Sequence, residues 1–183
     1  MKHIFRTIFF FLLLTFASQN VSAQMMAVKT DLLKDALMVG DIGVDFVVAE
    51  QHTVGMEFLY ANQTWGKPVK ISGLMPEYRF WVSGRPFTRQ FIGVVAAFAS
   101  YDISWGKKIY KGDAYGAGIS FGHIFTLTPH WNIELASSVG LVGYKQEFYY
   151  KGDDFLGLGH HTNSRGYYLM PIKFGVSAVY VLR

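Results

Sequence analysis

From Gln24 to the C-terminus, large apolar side chains return at every second position. A period of two is that of a β-strand, and no 3.6-residue pattern competes with it. Eight segments carry the alternation: about 27–33, 41–49, 53–61, 71–82, 90–104, 113–127, 131–148 and 167–182. In the last, Met170, Ile172, Phe174, Val176, Ala178, Tyr180 and Leu182 alternate with Lys173, Gly175 and Ser177, then Val179 and Val181. In the second, Ile42, Val44, Phe46 and Val48 alternate with Gly43, Asp45, Val47 and Ala49. The sixth sets Tyr115, Ile119, Phe121, Phe125 and Leu127 against Gly116, Gly118, Ser120 and Gly122. The fifth gives no clear phase. Asp102 assigns Ile92, Val94 and Phe98 to the inside, yet the opposite phase is nearly as apolar.

One face of this sheet is large and apolar, and the other is small, polar or charged. A water-soluble barrel or sandwich turns its apolar face inward and covers the outside with Lys and Glu. Here the second face is rich in Gly, Ala and Ser instead, which suits the crowded lumen of an eight-stranded barrel. The apolar face then meets lipid. The fold class expected is all-β: an eight-stranded antiparallel up-and-down transmembrane β-barrel. Glu50–His52, Ser83–Pro86 and Thr128–His130 are short, turn-forming connections. Lys34–Gly40, Asn62–Lys70, Trp105–Gly112 and Tyr149–Gly166 are longer and more polar. Outer-membrane barrels keep short turns and both termini in the periplasm and long loops outside. Tyr60, Trp65, Tyr101, Trp105, Tyr144, Phe148 to Tyr150, Tyr167 and Tyr168 fall near the long-loop ends. Phe80, Trp81, Phe87, Phe125, Trp131 and Tyr180 fall near the short-turn ends, predicting two aromatic belts at the lipid–water interfaces.

The first residues change the picture of location. Lys2, His3 and Arg6 precede Ile8–Leu14, and Val21-Ser22-Ala23 closes with small residues, the pattern of a cleaved signal peptide over 1–23 with the barrel over 24–183. The longest apolar run, Ile8–Phe16, falls short of a membrane helix. Of 183 residues, 51% are hydrophobic and only 16% charged, against about a quarter in soluble domains. Losing Lys2 and Arg6 leaves 15 Lys and Arg against 13 acids, with no basic cluster that would suit nucleic acid. There is no cysteine, so neither a disulfide nor an N-terminal lipid is available.

The candidate functional residues lie in the small phase: Lys29, Asp31, Asp45, Glu57, Glu77, Arg79, Glu134 and Lys173. They make either a charged pore or a network of ion pairs that plugs the lumen. The narrowness of an eight-stranded barrel favours the plug. No cofactor or metal site is expected. An enzyme needs a nucleophile and a base in reach of each other. Ser120 and His123 fall in opposite phases, and His160, His161, Ser164, Asp153 and Asp154 sit in a glycine-rich loop. The alternative reading, a lipid-modifying outer-membrane enzyme, would have to use these residues. An altered lipid A profile in a deletion strain, not restored by His161→Ala, would establish it.

Several motifs resemble a family. Ala27-Val28-Lys29-Thr30-Asp31-Leu32-Leu33 resembles the opening A-V-K-T-N-L-L of a domain-of-unknown-function family of small outer-membrane barrels, with Asp31 in place of Asn. Pro76-Glu77-Tyr78-Arg79-Phe80-Trp81 resembles its P-E-x-R-Y-W segment. Gly116–Gly122 with His130-Trp131-Asn132-Ile133-Glu134, and Pro171-Ile172-Lys173-Phe174-Gly175-Val176-Ser177, are similar to its later motifs, in the same order along the chain. The resemblance implies a non-enzymatic outer-membrane protein, in many cases encoded beside fimbrial or adhesin subunits. The partners implied are outer-membrane lipid and, through the long loops, surface fibre or adhesin subunits.

Overall fold

The computed structural model describes residues 25–106, 108–150 and 164–182. The expected signal segment 1–23, with its cleavage site, and residues 151–163 of the longest loop lie outside the described residues. The elements are β1 (Met26–Asp31), α1 (Leu32–Ala36), β2 (Gly40–Ala49), β3 (His52–Ala61), β4 (Val69–Trp81), β5 (Arg89–Trp105), β6 (Lys108–Thr126), β7 (Trp131–Tyr150) and β8 (Ser164–Leu182). Each strand pairs antiparallel with its sequence neighbour, and β1 pairs with β8, so the sheet closes into a ring with no strand out of order. All eight segments read from the alternation are strands, displaced by no more than five residues at their ends.

The register fixes the shape of the ring. Lys29 opposes Gly43, which opposes Glu57, which opposes Met75. The row continues from Ala97 to Gly116, Val142 and Tyr168. On its other side Lys29 opposes Val179, so one circuit climbs eleven residues along β8. One of these is taken up by the bulge where Ser138 opposes Lys173 but Val139 opposes Pro171. A stagger of ten residues over eight strands, at about 3.3 Å per residue and about 4.8 Å per strand, tilts the strands by about 40°. Each residue then gains about 2.5 Å along the ring axis.

Outside and inside follow the sequence pattern. Ile92, Val94, Phe98, Ile119, Phe121, Leu141 and Phe174 are all at least half exposed on the outer surface. On β6 the exposed apolar face runs from Tyr115 down to Leu127, an axial height of about 30 Å. Inside, Trp81, Phe87, Phe91, Ile124, Val179 and Val181 are buried together with Ala27 and Ala136 at the short-turn end. Trp81 lies 5.2 Å from Phe91 and 5.6 Å from Phe87, ring centre to ring centre, and donates its indole N–H to Thr53 at 3.1 Å.

Several expectations are corrected. Phe91 and Val95 are the buried phase of β5, and Ile92, Val94 and Phe98 face outward. Asp102 shares that outward phase because it stands above the apolar belt, so it said nothing about the interior. Trp81 and Phe87 belong to the lumen plug and not to an aromatic belt. Tyr101 and Tyr144 also turn inward: Tyr101 donates to Gln146 at 2.9 Å, and Tyr144 stacks on Tyr168. The β8 bulge moves Met170 opposite Gly140, off the row of Ile119 and Val139. The stretch 105–112 is no long loop, since β5 and β6 stay paired up to Trp105 and Lys108 and turn at Gly106 with a φ of 64°. The β4–β5 connection is longer than a tight turn, because Phe87 tucks back into the plug.

β1 is the shortest strand because Asp31 ends it. The Asp31 carboxylate accepts from the backbone N–H of Leu33 and Lys34, an N-cap that turns 32–36 into α1 instead of continuing the strand. α1 lies against β8, and Leu32 and Leu33 within it and Leu37 and Met38 after it are exposed.

On the lumen side β6 and β7 meet so closely at Gly118 and Gly140 that neither tolerates a side chain. A Cβ on Gly140 would lie 2.2 Å from the Ala117 carbonyl oxygen and 2.5 Å from Gly118 Cα. Both obstacles are backbone, which cannot swing aside. Gly140→Val is expected to prevent folding, read by the loss of protease resistance, and an unchanged protease-resistant form would contradict this packing.

Candidate functional site

The polar groups that the strands carry inward meet in one layer above the apolar plug. All eight residues singled out in the sequence are there, each no more than 7% exposed. Arg79 of β4 is the hub. Its guanidinium donates to Glu134 across the lumen at 2.8 and 3.0 Å and to Glu77 at 2.7 Å, with Asp45 at 3.6 Å. Its Cζ also sits 4.3 Å from the centre of the Phe91 ring, which places the charged layer directly on the apolar one. Lys29 pairs with Asp45 at 2.9 Å and stands 3.9 Å from Glu134. Lys173 of β8 pairs with Glu57 of β3. Strands that are not neighbours in the wall, β4 and β7, β2 and β4, β1 and β7, and β3 and β8, are thereby tied across the interior.

Two members were missed in the sequence. Lys34 of α1 reaches back into the lumen to Glu57, to Asp41 at 3.1 Å and to Asp31 at 3.6 Å. Asp41 accepts from the Thr30 hydroxyl and the Asp31 backbone N–H. Asp41 was detectable, since it has the inward phase of Gly43 and Asp45. Lys34 was not, because its stretch reads as a connection until Asp31 is recognised as a cap.

With these two included, Lys29, Lys34, Arg79 and Lys173 face Asp31, Asp41, Asp45, Glu57, Glu77 and Glu134. Every cation touches at least one carboxylate, as burial of charge requires. Chemically the layer holds its groups in fixed pairs. The sequence candidates for catalysis are not brought together. Ser120 is buried on the lumen side, whereas His123 points outward and packs 4.5 Å from Phe125. His160, His161, Asp153 and Asp154 lie outside the described residues.

The residues that build the two layers are spread over all eight strands, and one family model spans them. It matches residues 8–182, described as a protein of unknown function, DUF3575. The chain belongs to the DUF3575 family. No curated protein and no solved structure matches it. The domain-of-unknown-function resemblance in the motifs around Lys29, Arg79, Glu134 and Lys173 is thus met at the level of the family. In this DUF3575 chain those motifs supply the hub of the interior network.

Proposed function

We propose that this DUF3575 chain is an outer-membrane β-barrel with a sealed lumen. In this reading it is a non-enzymatic scaffold that presents its long-loop end at the cell surface and keeps both termini in the periplasm. The observation that carries the reading is the inverted polarity of the ring. Its outer face is apolar over about 30 Å, the thickness of a bilayer's hydrocarbon. Over that height the charged side chains are held inside. In water such a molecule would expose a continuous apolar band far larger than a soluble monomer tolerates. The apolar plug around Trp81 and the ion-paired layer above it speak for a scaffold over a pore.

Fractionation is the direct test. The mature protein should sediment with outer membranes, require detergent for release and migrate differently on gels when unheated. Release into the soluble periplasmic fraction without detergent would refute the membrane reading. In planar bilayers the folded protein should give no steady conductance, and stable open-channel currents would refute the sealed lumen. The scaffold serves, in our proposal, the assembly or anchoring of surface fibres, a reading supported by the resemblance in the sequence motifs. A pull-down from intact cells should then recover fibre or adhesin subunits, and their absence would remove this part alone.

A further inference from the structure

Above the apolar belt the outer wall changes character within two residues. One outward row, followed strand to strand, reads Tyr60, Ser72, Ser100, Asp113, Lys145 and Arg165. The next row up reads Lys70, Asp102, Lys111 and Glu147. A depression of about 590 Å³ runs between them across the strands. On β6, Asp113 and Lys111 stand about 5 and about 10 Å higher than Tyr115, the last aromatic of the belt. Neighbouring strands repeat this order, from Phe98 to Ser100 and Asp102 and from Leu141 to Lys145.

These rows are polar in a particular way. Asp113 is engaged, accepting the Ser100 hydroxyl at 2.6 Å. Lys70, Lys111, Lys145 and Arg165 are held in no ion pair with another described residue, although acids stand beside them in register. The opposite end of the belt differs. Its outward strand positions, Val48, His52, Phe80, Gln90, Trp131 and Leu182, include no Lys or Arg. The exposed Arg85 and Arg89 stand at that end, in and beside the β4–β5 connection, whereas cations on β4, β6, β7 and β8 line the long-loop end.

We propose that this belt of Lys70, Lys111, Lys145 and Arg165 is a binding surface for the phosphate groups of lipid headgroups in the outer leaflet. The inference rests on the membrane reading above and adds the class of lipid. A phosphate at the headgroup level, a few ångströms above the hydrocarbon edge, meets ammonium and guanidinium groups at its own height. The Ser72 and Ser100 rows add hydroxyls that can bond phosphate or sugar oxygens. The belt also helps to fix the barrel's vertical position, with cations on four strands meeting phosphates at one height.

The test uses the full mature chain folded in detergent, with fluorescent bis-phosphorylated lipid A as the probe. The triple variant Lys70→Gln, Lys111→Gln, Lys145→Gln is expected to bind it at least about tenfold more weakly than the unsubstituted protein. Lipid A stripped of its phosphates should bind both proteins equally, and inorganic phosphate should not displace the intact lipid. Equal binding of lipid A by both proteins would overturn the proposal. So would equal binding of the phosphate-free lipid by the unsubstituted protein, which would leave the acyl chains as the sole determinant. Displacement by inorganic phosphate would reassign the belt to a soluble anion and overturn the lipid source. Gel mobility without heating reports whether the triple variant folds. If it does not, the salt dependence of binding to the unsubstituted protein decides, and a salt-independent affinity refutes the proposal. Outer-membrane fractionation of the same protein separates this failure from that of the membrane reading.

Discussion

Arg79→Met is expected to lower the stability of the folded barrel by about 3–5 kcal/mol, the usual cost of removing one partner from a buried ion pair. Methionine keeps much of the length and the contact with Phe91, so the loss isolates the charge. Arg79 is wholly buried and is the group that bridges Glu77, Glu134 and Asp45. Without it the closest cation left to these carboxylates is Lys29, at 2.9 Å from Asp45 and 3.9 Å from Glu134, and Glu77 keeps no ion pair within 4 Å among the described residues. Urea titration of the folded band in detergent measures the effect. The triple variant Arg79→Met, Glu77→Gln, Glu134→Gln should recover much of it, because neutralising a whole buried group costs far less than stranding its acids. An Arg79→Met protein as stable as the unsubstituted one would show that water reaches these carboxylates and that the lumen is open.

The strand count, the order and the inner network were legible because they depend on a period of two. Lys29, Glu77, Glu134 and Lys173 each sit between small residues two positions away or opposite a glycine or serine, so phase alone placed them inside. Reading failed where phase stops being informative. Asp102 lies on the outward phase, yet above the apolar belt, and a charge there carries no sign of which way the strand faces. Trp81 looked like an interfacial aromatic because it ends a strand, but its phase turns it into the lumen, where it packs with Phe87 and Phe91. Lys34 and α1 hung on a cap at Asp31, a local hydrogen-bond choice that overrode a run reading smoothly as strand. Met170 was shifted by a single-residue bulge, which alternation cannot reveal because both sides of a bulge alternate correctly.

Phe121→Arg separates the membrane reading from every soluble alternative. Phe121 is half exposed on the outer face of β6, near the middle of the apolar height between Tyr115 and Leu127. On a protein surrounded by water, a substitution at an exposed position typically changes stability by no more than about 0.5 kcal/mol. At the mid-plane of a bilayer, an arginine on the lipid face of a barrel costs about 2–4 kcal/mol, falling towards the interfaces. The same substitution at Tyr115, at the upper edge, is therefore expected to cost about 0–1 kcal/mol. The comparison is made by refolding each variant into phosphatidylcholine vesicles and titrating with denaturant. A depth-dependent loss, large at Phe121 and small at Tyr115, follows from lipid around the ring. Equal and negligible losses at both positions would mean that water, or another protein, covers this face. The neighbouring residue sharpens the result. Ser120 is buried on the lumen side, beside the glycine-lined contact of β6 and β7, so Ser120→Arg should prevent folding in either solvent. Two adjacent residues of one strand thus answer to different surroundings, Phe121 to the solvent outside and Ser120 to the packing within.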